Sequence, residues 1–433
     1  MNDHLGLFGR EEETGELDLN DLRAALSKTA SATTPDPVRV LPRREIRAAR
    51  QAAARRRKRR IRQTTLAIVV LALLVGGVVV GFKLWRKDST AVADFVGNGT
   101  TDVVVRVQSG DSLTDIAQTL TEDGVVASSA AFINAASDNS DIKSIKVGYY
   151  KVKLHASAEA AVDAISDSNA QVGQLRIIPG LRLEDTKNKA GEAVPGYISL
   201  ITKAACVPLN GVANCFNADQ LWKVAETSDP TALGVPSWAV AGIRAAPDPK
   251  RRLEGMLVPG DYDIAPGTDP VAVLHDVVSQ SATNWDQTDI VAGSKLLGRD
   301  PYQVLTVASV AQREGTNSIY GKVSRVVYNR LAINMKLQMD STVSYALGLS
   351  TVATTSRQRA TATPYNTYLN TGLPPTPITS PGTNALDAAL NPDDGKWLYF
   401  VQVDRQGDFC FSVTGEEHNK CVEQARAAGV FDE

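Results

Sequence analysis

The sequence predicts an α+β fold behind a single N-terminal apolar span, on three observations. At Val304, Val307, Ala308 and Ala311, apolar residues recur at i, i+3, i+4 and i+7, the spacing of a helix with a buried face. Short strand-like runs lie on either side, at 102–107 (DVVVRV) and 175–179 (LRIIP), and residues 397–403 and 408–413 alternate as a closing hairpin. Residues 64–82 (TTLAIVVLALLVGGVVVGF) carry no charge and are long enough to cross a bilayer as a helix. At 433 residues the chain is too long for one ordinary domain and suggests two or three.

Residues 1–62 read as a cytoplasmic, mostly disordered tail. Its first part is polar, and 43–62 (RREIRAARQAAARRRKRRIR) is almost uniformly basic. A basic run can bind nucleic acid, but beside a membrane span it fixes orientation, so no nucleic-acid partner is expected. The formal net charge of −2 adds no whole-chain preference. The span is placed at 63–85, with the N-terminus inside and everything after it exported. A cleaved signal peptide is the competing reading, helped by Ala91-Val92-Ala93. The long N-terminal region and the cations after the apolar run favour an uncleaved anchor.

All four cysteines lie beyond the span, as export to an oxidising compartment requires. Three pairings are possible, and the short loops favour Cys206–Cys215 and Cys410–Cys421. The spacings do not suit zinc and histidines are few, so no metal site is expected.

A linker over 86–100 leads to a small module at 101–172. Here 102–107 is a strand, 109–111 a turn, 112–120 a capped amphipathic helix, and 147–152 a returning strand. The phrase VRVQSGDSLTDIAQTLTEDGVV resembles the opening of a LysM-like module, a fold associated with glycan binding. A generic βααβ unit without a ligand explains the same pattern. A larger domain follows over 173–425, closed by a short tail at 426–433. It opens with the strand at 175–179. Gly, Pro and Asn are frequent over 195–252, so a loop-rich insertion with short helices is expected there, carrying the first cysteine pair. Order resumes at 253–262, followed by a helix at 271–281. Asp300 is placed as N-cap and Pro301 as the first residue of the central helix, which Gly315 ends. Residues 365–382 form a rigid Pro-rich loop, 380–390 a helix, and the hairpin completes the domain.

Glu314 lies seven residues after Val307, so its carboxylate emerges on the side of the apolar stripe. Partial desolvation there raises a carboxyl pKa towards the range of a general acid. A solvated residue at a helix end is the bland alternative.

Six phrases, in this order, are specific enough to carry a family resemblance: LEGMLVP (253–259), VASVAQRE (307–314), VSRVVYNRLAINMKLQMDSTV (323–343), PYNTYLNTGLPPTPITSPG (364–382), WLYFV (397–401) and HNK (418–420). The exported part resembles the endolytic murein transglycosylases of the MltG (YceG-like) family. That resemblance implies an α+β YceG-like catalytic domain that cleaves the MurNAc-β-1,4-GlcNAc bond of nascent glycan strands. The products end in 1,6-anhydroMurNAc, and strand elongation stops. It places the catalytic acid on Glu314. Family members often carry E-K-E at this helix end; here the first acid is Gln312, which leaves Glu314 alone on its turn. Gln338 and Asp340 sit where the family has L-Q-T-D-P-T-V, with Met339 and Ser341 departing from it. Asp340 is expected either to cap a helix starting at Ser341 or to touch sugar.

Tyr365, Asn366 and Tyr368 offer polar groups and ring faces from the Pro-rich loop. Glu254, in the L-E-G phrase, positions substrate or holds its loop. Asn329 and Arg330 contact substrate or form a solvated or salt-bridged face. His418 and Asn419 are expected on a loop fixed by Cys421. Ile178-Pro179-Gly180 lacks the Glu of the family's I-P-E-G. No cofactor is implied. The partners implied are peptidoglycan strands, the membrane and penicillin-binding synthases. Two other readings remain at this point: a non-catalytic peptidoglycan-binding scaffold, and a hydrolase using water with Asp340 or Glu254 as second carboxylate.

Overall fold

The computed structural model describes residues 92–431, apart from residues 138, 189, 214, 268 and 352. The expected tail and span, 1–62 and 63–85, lie outside the described residues. Among the described residues no helix is long and apolar enough to cross a membrane.

The first part runs β1 (Asp102–Val107), α1 (Leu113–Glu122), α2 (Ser129–Ser137), β2 (Gly148–Lys153), α3 (Ala158–Ser166) and β3 (Gln171–Val172). The two expected strands and the capped helix between them are present, with α2, α3 and β3 in addition. β2 is the central strand, antiparallel to β1 with Val105 opposite Tyr150, and antiparallel to β3. Ser112 starts α1 through a reciprocal capping box with Asp115. Val105, Val107, Ile116, Leu120, Phe132, Tyr150 and Ile165 form its core.

A second, larger core begins at Leu175. β4 (Gln174–Ile177) leads through β5 (Thr186–Lys187) and β6 (Ala193–Val194) to α4 (Tyr197–Ala205), α5 (Ala218–Thr227) and α6 (Ser237–Arg244). β7 (Gly260–Asp263) then pairs antiparallel with β4, Leu175 opposite Tyr262. The short helices expected in the insertion at 195–252 are α4, α5 and α6, which bury Tyr197, Ile201, Leu221 and Ile243. The residues that suggest loops are helix punctuation. Gly196 and Pro236 sit at N-caps, and Asn217 forms a capping box with Gln220.

The helical half follows as α7 (Pro270–Asp286), α8 (Ile290–Leu296), α9 (Pro301–Glu314), α10 (Tyr320–Ala332), α11 (Asp340–Ala346), α12 (Ser356–Arg359) and α13 (Thr383–Leu390). The hairpin of β8 (Tyr399–Gln402) and β9 (Phe409–Ser412) and the helix α14 (Gly415–Ala427) close the chain. Both expected disulfides are present, Cys206–Cys215 after α4 and Cys410–Cys421 joining β9 to α14.

α9 is the axis of the larger core. Asp300 caps it by accepting the Tyr302 and Gln303 N–H groups, Pro301 opens it and Gly315 follows its last residue. The periodicity predicts a single buried stripe. Instead every residue from Val304 to Ala311 is buried, with α10 and α13 both packed against the helix.

Candidate active site

Glu314 is the last residue of α9, and its Oε1 accepts the Ser341 N–H at 3.0 Å. The side chain keeps some exposure while protein encloses its carboxyl. Burial raises its pKa above the ordinary carboxyl value, and the neighbouring Asp340 charge raises it further. The hydrogen bond from Ser341 and the charge of Arg313 act the other way without reversing the shift. Glu314 is therefore no solvated helix end: its environment favours the protonated form a general acid needs.

Asp340 is the first residue of α11 and does not cap it; Met339 occupies the cap position. Its carboxylate points away from the helix backbone. It accepts hydrogen bonds from Thr354 Oγ1 at 2.6 Å, Tyr368 Oη at 2.7 Å and Thr354 N–H at 3.0 Å. Arg359 stands 3.7 Å away and also covers the Tyr368 ring. Gln338 is exposed and holds a left-handed backbone, φ +52°, which a non-glycine residue adopts only under constraint. The constraint is visible. Its N–H donates to Thr367 O at 3.1 Å, and its Oε1 accepts from Arg330 Nη1 at 3.3 Å. Glu314, Asp340, Gln338 and Tyr368 are thus joined by direct bonds through Ser341 and the 365–382 loop.

Other expected contacts are not open to a ligand. Tyr365 and Asn366 are buried, which corrects the expectation that they offer polar groups outward. The Tyr365 hydroxyl bonds Thr376 at 3.0 Å. Asn366 donates to Arg359 O and Thr361 O and accepts the Tyr368 N–H, so it shapes the loop from inside. Glu254 is 1% exposed and accepts from Leu183 N–H and the Tyr345 hydroxyl. Burial raises its pKa to about 7. It touches α11 through Tyr345 and holds its own loop. The glycine beside it is required there: Gly255 has φ +78°, and a Cβ would lie 2.5 Å from Pro377.

Asn329 donates to Gly395 O and Trp397 O, so it fastens the approach to β8. His418 and Asn419 lie on α14 and not on a loop. His418 stacks on Tyr399 at 5.1 Å, where burial lowers its pKa, and Asn419 is exposed. Arg330 is neither solvated nor salt-bridged. It is buried and donates to the carbonyls of Leu398, Lys336 and Leu337 as well as to Gln338. It links the hairpin cluster to the Gln338 turn.

Two residues of α9 were missed by sequence reasoning. Gln312 Oε1 accepts the Gly382 N–H at 2.9 Å while its Nε2 donates to Tyr320 Oη at 2.8 Å. Ser309 Oγ accepts the Ile378 N–H at 3.0 Å. Both pin the Pro-rich loop to the helix that ends in Glu314. A polar residue among buried apolar neighbours was the available signal. Among the described residues, no group of three or more His, Cys, Asp or Glu is placed to hold a metal ion.

The YceG-like family model matches residues 105–424. The chain is 29% identical over 336 residues to the endolytic murein transglycosylase of Bacillus subtilis, covering 75% of this chain and 85% of that protein. It is 25% identical over 332 residues to the endolytic murein transglycosylase of Streptococcus pneumoniae, covering 74% of this chain and 58% of that protein. A crystal structure of a yceG-like protein from Listeria monocytogenes aligns over 74% of this chain and 98% of its own, at 26% identity and a TM-score of 0.46.

Proposed function

Because the chain belongs to the YceG-like family, we propose that it is a membrane-anchored endolytic lytic transglycosylase of peptidoglycan with Glu314 as its catalytic acid. The observation that carries the reading is the enclosed Glu314 carboxyl at the end of α9, bonded to Ser341, with its pKa raised by burial and by the Asp340 charge.

The neutral Glu314 protonates the oxygen bridging MurNAc to GlcNAc, and the bond from that oxygen to the muramyl anomeric carbon breaks. The C6 hydroxyl of the same muramyl residue then closes on that carbon. The Glu314 carboxylate takes the hydroxyl proton and returns to its starting form. No water is consumed and one carboxyl suffices. Hydrolysis by contrast ordinarily uses a second carboxylate to activate water or form a covalent intermediate. Asp340 is the nearby acid, but its oxygens already take hydrogen bonds from Thr354 and Tyr368. Its part is to shape the site and set the charge beside Glu314. The apolar run at 64–82 keeps the enzyme beside newly made strands and their synthases, and the 101–172 module orients the strand.

The full chain in detergent, given uncrosslinked strands, is expected to release fragments whose ends are one water lighter than reducing ends by mass spectrometry. Glu314→Gln, which cannot donate the proton, is expected to lose at least about a hundredfold in rate. Reducing ends in the product would make the enzyme a hydrolase. Full activity of the Gln variant would remove Glu314 from the mechanism.

A further inference from the structure

A cleft of about 410 Å³ opens beside the end of α9, bounded by Gly180, the β5–β6 hairpin and Ser350. Arg182 and Arg313 both line it. Arg182 is 6% exposed and its guanidinium lies over the Tyr345 ring at 5.3 Å; among the described residues that guanidinium makes no hydrogen bond or ion pair. Its Nη2 is buried without a partner. Arg313 makes one long hydrogen bond, Nη2 to Ser350 O at 3.4 Å, and its Nε is likewise buried and unpartnered.

Cations withdrawn from water are ordinarily matched by acceptors, since an unmatched buried charge is as unfavourable as a broken buried ion pair. This protein follows that rule elsewhere. Arg330 has acceptors from four residues, and Arg251 has two carbonyls and Asp248. Three carboxylates stand near the cleft. Glu254 influences Arg182 but is bonded to Leu183 and Tyr345; Glu314 influences Arg313 but is bonded to Ser341; Glu184 is exposed on the rim. None makes an ion pair with either arginine. Arg182 and Arg313 thus line one cleft with donors that the protein leaves unmatched.

We propose that this cleft binds a carboxylate carried by the glycan strand, on the peptide or lactyl substituent of the muramyl residue at the cut. The inference rests on the reading of the chain as a glycan-strand enzyme. Planar guanidinium forks match a carboxylate, and sugar rings without such substituents carry no anion. Arg313 immediately precedes Glu314, so a strand anchored here lies within reach of the catalytic acid. Arg182 and Arg313 thereby select substituted muramyl residues.

The test is equilibrium binding of labelled short strands to the full chain carrying Glu314→Gln, so that nothing is cut. Peptide-bearing strands, the same strands with carboxylates amidated, and peptide-free strands retaining the lactyl carboxylate are compared. Amidation is expected to weaken binding about tenfold or more, the scale of losing one desolvated charge partner. Arg182→Gln and Arg313→Gln are expected to weaken binding of the unmodified strand similarly, to leave the amidated strand unaffected, and to be partly rescued by Arg182→Lys. The lactyl carboxyl of a peptide-bearing residue is already an amide, so a loss on amidation assigns a peptide carboxylate; arginine sensitivity on peptide-free strands shows that the free lactyl carboxylate fits the same cleft. Equal binding of amidated and unmodified strands overturns the proposal without touching the protein fold, and so does an equal loss on both strands in the arginine variants. If the chain with Glu314 intact releases no anhydro ends while the binding difference persists, the catalytic reading fails and the carboxylate site stands.

Discussion

Glu314 depends on its neighbours for its chemistry, and one of them can be altered without touching the acid. The charge of Asp340 helps to raise the Glu314 pKa. Replacing it by Asn removes that push, so Glu314 gives up its proton at lower pH. Because the proposed first step needs the protonated acid, the alkaline limb of the kcat/KM profile is expected to move to lower pH in Asp340→Asn. A limb that stays in place would mean that burial alone sets the pKa. Burial raises Glu254 to about 7, well above the ordinary carboxyl value of 4.5, and this bears on folding stability. The folded state binds this proton more tightly than the unfolded chain does. Its contribution is therefore fully present below about pH 4.5 and is lost as pH rises through 7, a change of up to roughly 3 kcal/mol. Glu254→Gln keeps the shape without the titration, so its unfolding midpoint relative to the parent is expected to rise more at pH 8 than at pH 5. Identical shifts at both pH values would refute that account.

Elements were legible where local chemistry decides them and obscure where packing does. The ends of α9 were readable because Asp300, Pro301 and Gly315 act on the backbone next to them. Its full burial was not. Thr306 and Ser309 look polar in sequence, yet their hydroxyls bond back to Tyr302 O and Thr306 O and let them sit in a core. Over 195–252, Gly196, Asn217 and Pro236 punctuate short helices and so could be read as the loop signals between them. α14 was hidden for the opposite reason. Among its thirteen residues only Cys421 and Ala425 are buried, too few to make a periodic stripe, so its sequence reads as a loop around His418. The rigidity of 365–382 could be read from its prolines, but the inward turn of Tyr365 and Asn366 could not: it depends on side-chain bonds to Thr376, Arg359 O and Thr361 O. The acid of the site was visible in one helix; the bonds from Ser309, Gln312, Arg330 and Thr367 that hold its surroundings together were not.

At the scale of the molecule, Gly173 lies in the chain between two separate hydrophobic cores, and the first disulfide has a role there beyond its own loop. Gly173 has φ +74°, and a Cβ would lie 2.0 Å from Ile264 O, so the seam admits no larger residue unstrained. The loop closed by Cys206–Cys215 carries Asn210, which binds Asp102 at the start of β1 through three hydrogen bonds. The Asp102 N–H donates to Asn210 Oδ1 at 2.7 Å, the Asn210 N–H to Asp102 Oδ2 at 3.0 Å, and Asn210 Nδ2 to Asp102 O at 3.2 Å. Cysteine spacing foretold the bond, while the partner of its loop lies more than a hundred residues away. Cys206→Ser with Cys215→Ser is expected to cost about 2 to 3 kcal/mol through the freed unfolded chain. It should also loosen Asn210, so that the Asp102 amide exchanges faster and protease cuts the full chain sooner near Gly173. Cys410→Ser with Cys421→Ser provides the control, because it removes a bridge of similar loop length between β9 and α14. It should lower stability while leaving the Gly173 seam protected. If both pairs expose the seam equally, the effect is global destabilisation; if neither does, the Asn210 clasp holds without its disulfide and the two cores are joined by packing alone.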